Sequence, residues 1–256
     1  MKTLYLAWQD TGTSRKWFPI GKLEADIHKS FFQFGYTKGA RRAHREAGFQ
    51  PLPNFPDFNK LYESDELFPL FTNRVMGKNR DDFQEYLVQL DLKPEQADPI
   101  SILSVSGGTR RTDRLEIFPG FKINSDGRFS TRFFLKGWRH LDDKSKKRVE
   151  KCKEGDTIQT AVELNNPVTG LAIQLQTRGD YCMIGWAPRY LLNELLKCIQ
   201  YNPLHIESKV IRVNHAPAPI QERVLIEMSG AWPKGLEPMS HTDYKELWSV
   251  KELADI

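Results

Sequence analysis

Apolar positions follow different periods along the chain, and each period predicts an element. Leu4 to Trp8 is a short strand-like run, a turn follows at Asp10-Thr11-Gly12, and Trp17 to Leu23 reads as a second strand. Residues 28–60 are aromatic and are punctuated by Pro51, Pro53 and Pro56, each of which breaks regular structure. Phe49, Phe55 and Phe58 lie beside these prolines and are expected to pin an irregular segment onto a core. From Leu67 to Leu92 the period is helical: Leu67, Leu70, Phe71 and Val75 recur every three or four residues, as do Phe83, Tyr86, Leu87 and Leu90. Asn79 is placed to cap the second segment, with Asp81 and Asp82 in the first turn, where the helix dipole favours acids. Lys93-Pro94 ends it.

After Pro99 the pattern changes to strands. Ile100 to Val105 is a short apolar run expected to be one, ahead of Gly107-Gly108. Leu115 to Phe118 is closed by Pro119-Gly120, and Asn124-Ser125-Asp126-Gly127 is a hairpin turn with Phe129 to Leu135 as its return strand. Ile158 to Leu164, Leu171 to Thr177 and Tyr181 to Trp186 are three more strands, the last two joined by Arg178-Gly179-Asp180. Pro188 opens a helix to about Gln200, with Leu191, Leu192, Leu195, Leu196 and Ile199 as its apolar face. His205 to Val213 and Arg223 to Met228 then bracket the proline-rich segment 216–219.

These elements predict an α+β protein: a small α+β part over 1–98, a β-rich domain with one packed helix over 99–235, and a tail over 236–256. The boundary falls near 95–112, where helix gives way to strands. Composition agrees, since 39% hydrophobic and 11% aromatic residues supply a core and exclude a disordered chain. No apolar run approaches the roughly 18 residues of a membrane span, and MKTLYLAWQDTG lacks a signal-peptide core, so a cytoplasmic protein with no membrane partner is expected. Cys152, Cys182 and Cys198 have neither a disulfide framework nor paired zinc spacing and read as reduced thiols.

Charge is uneven. Residues 1–102 carry 14 basic and 14 acidic side chains, residues 103–153 carry 14 and 6, and residues 154–256 carry 9 and 13. The excess of positive charge in 103–153 attracts phosphates or forms a solvated surface; the sequence leaves both open.

No catalytic arrangement stands out. The six histidines are scattered without metal-site spacing, and no nucleophile elbow, Walker loop or dinucleotide loop is present, so neither enzyme activity, metal nor cofactor is expected. Two basic segments remain. In Ser106-Gly107-Gly108-Thr109-Arg110-Arg111, successive glycine amides facing one concavity and two arginines suit a phosphate; the alternative is a glycine turn with exposed arginines. In Lys136-Gly137-Trp138-Arg139-His140, cations flank an aromatic ring, the combination that holds single-stranded nucleic acid, unless Trp138 belongs to the core. The run from Lys144 to Lys153 reads as the solvated face of a helix.

The order of the later segments adds a resemblance. Gly137-Trp138-Arg139-His140, Gly155-Asp156-Thr157-Ile158, Glu163-Leu164-Asn165-Asn166-Pro167, Leu171-Ala172-Ile173 and Ile184-Gly185-Trp186 precede an apolar helix. This order resembles the HIRAN domain of helicase-like chromatin remodellers, which also exists as a stand-alone bacterial module. The resemblance implies an OB-like β-barrel that binds DNA, in remodellers the 3′ end of a single strand. It places Arg139 and His140 where the family has an arginine and a stacking tyrosine, with Trp138 able to supply the ring. Asn166 anchors the match; Thr169 stands where the family has an acid for the terminal hydroxyl, and Glu222 roughly where it has a late aromatic. Both departures bear on 3′-end recognition and leave backbone or duplex binding open.

A second resemblance concerns residues 1–92. Trp17-Phe18-Pro19-Ile20-Gly21-Lys22-Leu23 and the segment from Tyr62 to Arg74, with Phe68-Pro69-Leu70-Phe71-Thr72-Asn73, look like the small N-terminal subdomain of HipA-type toxin kinases. In split systems that subdomain is a separate polypeptide that restrains the kinase, so the resemblance implies a HipA-like kinase as a protein partner. The resemblance covers only this small subdomain, so it implies the restraining polypeptide and not the kinase itself.

Overall fold

The computed structural model describes residues 1–12 and 14–248. The first elements follow the apolar pattern: β1 (Lys2–Gln9) and β2 (Trp17–Asp26) pair antiparallel, and β3 (Phe31–Tyr36) adds beside β2. Helix α1 (Lys38–Ala47) and a short strand, β4 (Tyr62–Ser64), flank the proline segment. Tyr36 explains how that segment is held. Its hydroxyl donates to the Phe55 carbonyl (2.7 Å) and accepts from the Leu52 amide (2.7 Å), while Phe49 and Phe55 are buried around it.

The helical stretch expected over 67–92 is two short helices, α2 (Pro69–Thr72) and α3 (Phe83–Gln89). The second begins after Asp82, three residues beyond the expected cap at Asn79. The run Ile100 to Val105, expected as a strand, is instead helix α4 (Pro99–Ser106). Its ends explain the difference. Asp98 accepts from the Ile100 and Ser101 amides (3.0 Å each), Pro99 takes the first turn, and Gly107 closes the helix at φ +73°.

Two compact units result. The first comprises residues 1–80, 98–120 and those from Met239 onward; the second comprises 81–97 and 121–238. In the first unit, the sheet order is β4-β3-β2-β1-β5, where β5 is Leu115–Pro119. Phe18, Ile20, Phe34 and Phe71 are fully buried beneath it, with the Phe34 and Phe55 rings 4.1 Å apart. Of the expected tail, residues 236–238 stay with the second unit, and those from Met239 up to Trp248 add to the first. Asp243 takes a bidentate contact from Arg42 (2.7 and 3.0 Å), and Leu247 donates its amide to the Tyr36 carbonyl. Residues 249–256 of that tail lie outside the described residues.

The second unit holds a six-stranded antiparallel sheet, β6 (Arg128–Phe134), β11 (Val224–Ala231), β10 (Glu207–Val213), β7 (Thr157–Asn166), β8 (Gly170–Thr177) and β9 (Met183–Trp186), in that order. Helices α5 (Asp143–Val149) and α6 (Leu192–Tyr201) accompany it, with Leu195 and Cys198 of α6 buried. Segment 81–97 is tied in by Asp91, which accepts from Arg132 (3.0 Å) and Arg212 (2.6 Å), and by the Gln89 carbonyl, which accepts from Asn214.

The turn at Asn124–Gly127 forms, with Asn124 donating to the Arg128 carbonyl (2.8 Å), but it does not join two long paired strands. β5 pairs with β1, whereas β6 pairs with β11. Only the single bridge Ile123–Phe129 continues the turn, because Pro119-Gly120 interrupts the chain before it. An isolated bridge joins Lys136, two residues beyond the end of β6, to Trp186 of β9: Lys136 donates to the Trp186 carbonyl (2.9 Å) and Trp186 donates to that of Lys136 (3.1 Å).

The fold is therefore mixed α+β, built on two antiparallel sheets with few helices. Among the described residues no helix is long and apolar enough to cross a membrane.

Candidate nucleic-acid interface

The Lys136–Trp186 bridge depends on glycines. Gly137 follows Lys136 at φ +86°, and a Cβ there would lie 2.3 Å from the Trp186 ring. Gly185 sits at φ +147°, and a Cβ there would lie 2.8 Å from the Lys136 carbonyl. Both positions need glycine, because the backbones approach too closely for a side chain and the φ values disfavour L-residues. The indole of Trp186 thus lies directly on the backbone of the basic segment.

Past Gly137 the chain makes a short 3-10 turn, Trp138–His140. Trp138 is half-buried, whereas Arg139 and His140 are exposed. Arg139 donates from Nε to His140 Nε2 (3.1 Å). Trp138 also lines a small cavity of about 10 Å³ with Leu135, Ile184, Ile220 and Arg223. Arg223 Nε is buried there without a hydrogen-bond partner. Neighbouring Glu222 has its carboxyl pushed up by burial, with the Lys136 charge acting in the opposite direction.

Asn166 and Thr169 occupy the β7–β8 turn and are engaged within it. Asn166 Oδ1 accepts from the Val168 amide (3.1 Å), the Thr169 amide (3.3 Å) and the Thr169 hydroxyl (3.2 Å). The Thr169 hydroxyl lies 2.5 Å from the Leu171 carbonyl as well. Glu163 connects this turn to the basic segment: Oε1 accepts from Asn166 Nδ2 (3.2 Å) and Oε2 from the Trp186 indole (2.6 Å). Lys136, Trp138, Arg139, His140, Asn166 and Thr169 therefore belong to one connected region of the second unit, with Trp186 and Glu163 as its links.

Those two linking residues were not singled out as site residues by sequence reasoning. The signal lies in the hairpin register. The Asn166-Pro167 turn sets Glu163 opposite Ala172, and the next hairpin sets Gln174 opposite Trp186, which puts Glu163 and Trp186 on one face.

Arg110 and Arg111 belong to the first unit. The glycine amides ahead of them are engaged internally: Gly107 donates to the Leu103 carbonyl (3.1 Å) and Gly108 to the Ser106 hydroxyl (3.2 Å). Buried Arg74 braces the turn through the Gly108 carbonyl (2.8 Å) and Asp113, while Arg110 reaches the Asn73 carbonyl. Arg111 is exposed. The basic stretch 103–153 is thus divided between the two units at Phe121.

Helix α5 supplies further cations to the second unit. Asp142 caps it, accepting from the Ser145 amide (2.7 Å), and Lys144, Lys147, Lys151 and Lys153 are exposed on or just beyond it. Arg148 instead pairs with Asp180 (2.7 Å), whose carboxyl the Thr177 hydroxyl and Arg148 hold down at about 2. The thiols of Cys152 and Cys198 are raised by burial, to about 11 and about 12, which keeps them protonated and poorly nucleophilic at neutral pH. Among the described residues no cluster of His, Cys, Asp or Glu is placed to hold a metal ion.

Comparison with family models, with curated proteins and with solved structures finds no match.

Proposed function

We propose that the second unit is a HIRAN-like, OB-type module that binds nucleic acid and performs no catalysis. The observation that carries this reading is the display of Trp138, Arg139 and His140 immediately beyond the Lys136–Trp186 bridge. An exposed guanidinium beside a half-buried indole combines a phosphate donor with a stacking surface, the two contacts by which single strands are held. The Lys136–Trp186 bridge supports the barrel part of the reading, since it ties the chain just beyond β6, one edge of the six-stranded sheet, to β9 at the other. The exposed lysines of α5 add long-range attraction for a polyanion.

The aromatic-rich region 31–71 bears on the other reading, a protein that restrains a HipA-like kinase. Phe32, Phe34, Tyr36, Phe49, Phe55 and Phe71 are buried in the core of the first unit and form no exposed aromatic face. Nucleic-acid binding is therefore the function the geometry favours.

The test is a titration of labelled single-stranded, 3′-recessed and duplex DNA at low and moderate salt. Binding in the low micromolar range that weakens steeply with salt is expected. Arg139→Ala should weaken it by about 1–3 kcal/mol. Absence of binding at low salt, or an unchanged affinity for the variant, would overturn the proposal.

A further inference from the structure

We infer that the exposed face of α1 in the first unit is a second contact surface for a nucleic-acid backbone. The inference rests on the reading of the protein as a nucleic-acid binder but uses a different surface, one that the charge count hides. Residues 1–102 are neutral in sum, yet α1 alone carries Lys38, Arg41, Arg42 and Arg45 against one acid, Glu46.

The fold sorts these charges. Arg42 is consumed internally, paired with Asp243 and lying 4.7 Å over the Phe18 ring. Glu46 turns to Arg42 (3.6 Å) and Lys16 (3.7 Å). Lys38, Arg41 and Arg45 are left exposed, and none of them has an acidic partner among the described residues. Their spacing of three and four residues places them on one helix face, which rises about 10 Å from first to last. One DNA strand presents a phosphate roughly every 3.4 Å along its axis, so the stripe faces about three phosphates. Arg41 is also bonded to Asn59 in the neighbouring loop, which positions its guanidinium.

The opposite face of α1 is fixed. Ala40 and Ala43 are fully buried, and at Gly39 a Cβ would fall 2.0 Å from the Pro19 carbonyl. The cations therefore stand on a helix seated firmly against β2 rather than on a mobile segment. The exposed residues of α1 are Lys38, Arg41, His44, Arg45 and Glu46, with no aliphatic or aromatic anchor among them. A protein interface draws most of its energy from such anchors, whereas phosphate contacts need none. This favours a nucleic-acid backbone over an acidic polypeptide.

The experiment measures the salt dependence of binding to a labelled duplex, with the full chain and with Lys38→Ala/Arg41→Ala/Arg45→Ala. A control, Lys78→Ala/Lys209→Ala/Lys234→Ala, removes the same charge from other exposed positions. The α1 triple variant should bind more than about tenfold more weakly at low salt and show a log K against log salt slope shallower by about 2–3, while the control keeps both values. An unchanged slope in the α1 variant, with Arg139→Ala still weakening binding, overturns this inference and leaves the proposed function standing. Loss in the α1 variant with Arg139→Ala unaffected supports it and removes the site in the second unit. A wild-type protein that binds no DNA overturns both. Loss of binding to a polyglutamate probe with the DNA slope unchanged also overturns the inference, assigning the face to an acidic polypeptide.

Discussion

At the residue scale, Gly137 decides the geometry of the candidate site. It holds φ +86° while Trp186 lies against its backbone, and no other residue meets both requirements. Gly137→Ala should cost about 1–3 kcal/mol from backbone strain alone, with more from the clash. Urea denaturation checks this through a lowered midpoint at unchanged slope. The sequence showed the basic-aromatic segment 136–140 plainly, because charge and ring type are local properties. It did not show why glycine interrupts the segment, since the Trp186 indole that excludes a Cβ comes from a strand almost fifty residues later. The same limit hid Glu163, whose role depends on bonds to Asn166 and Trp186 at once. Asn166 and Thr169 were legible as a turn, and their hydrogen bonds are those of a turn.

At the element scale, α4 shows how capping outweighs composition. Ile100, Leu103 and their neighbours form an apolar run of strand length, and period alone does not separate a buried strand from a buried helix in so short a segment. Asp98, Pro99 and Gly107 supply the start and stop signals of a helix. Asp98 also accepts from Lys2 (2.7 Å), an ion pair that anchors the helix start to β1. Asp98→Ala should therefore destabilise the protein by about 1–2 kcal/mol, the upper range for loss of an N-cap. Thermal unfolding followed by circular dichroism measures it, and a melting temperature equal to wild type would contradict the capping role. Most strands of the second half were readable because they alternate cleanly and are bounded by glycine turns. The pairing of β6 was not readable, since the Asn124–Gly127 turn looks local whereas the partner, β11, lies some ninety residues on.

At the scale of the whole molecule, the chain passes between its two units instead of dividing once. Residues 81–97 join the second unit, the chain returns for α4 and β5, and residues from Met239 come back to the first. A fragment of residues 1–98 therefore lacks an edge strand, β5, together with the Asp243 partner of Arg42. Such a fragment is expected to show no cooperative unfolding transition, whereas the full chain does; a sharp denaturant transition for the fragment would contradict this. A fragment starting at residue 99 would lose Asp91 and leave Arg132 and Arg212 without that partner. Sequence reading divides the chain in order, at 98/99 where the apolar period changes and again before a tail at 236, and so lets no segment return to an earlier part. The ion pairs and strand pairings that route the chain leave no trace in composition.

The sequence by itself determined the α+β class, most of the strands, the two helices with clear apolar faces, and the basic-aromatic segment at 136–140. These are set by local alternation, turn chemistry and charge, all of which act within a few residues. Tertiary structure alone decided which strands pair, which unit each segment joins, that Arg42 and Arg74 are spent on internal contacts, and that Lys38, Arg41 and Arg45 face solvent on one helix. The physical reason is that charge and hydrogen-bonding capacity belong to residues, whereas their satisfaction belongs to neighbours brought together by folding. A cation becomes available to a ligand only when the fold has given it no acid of its own.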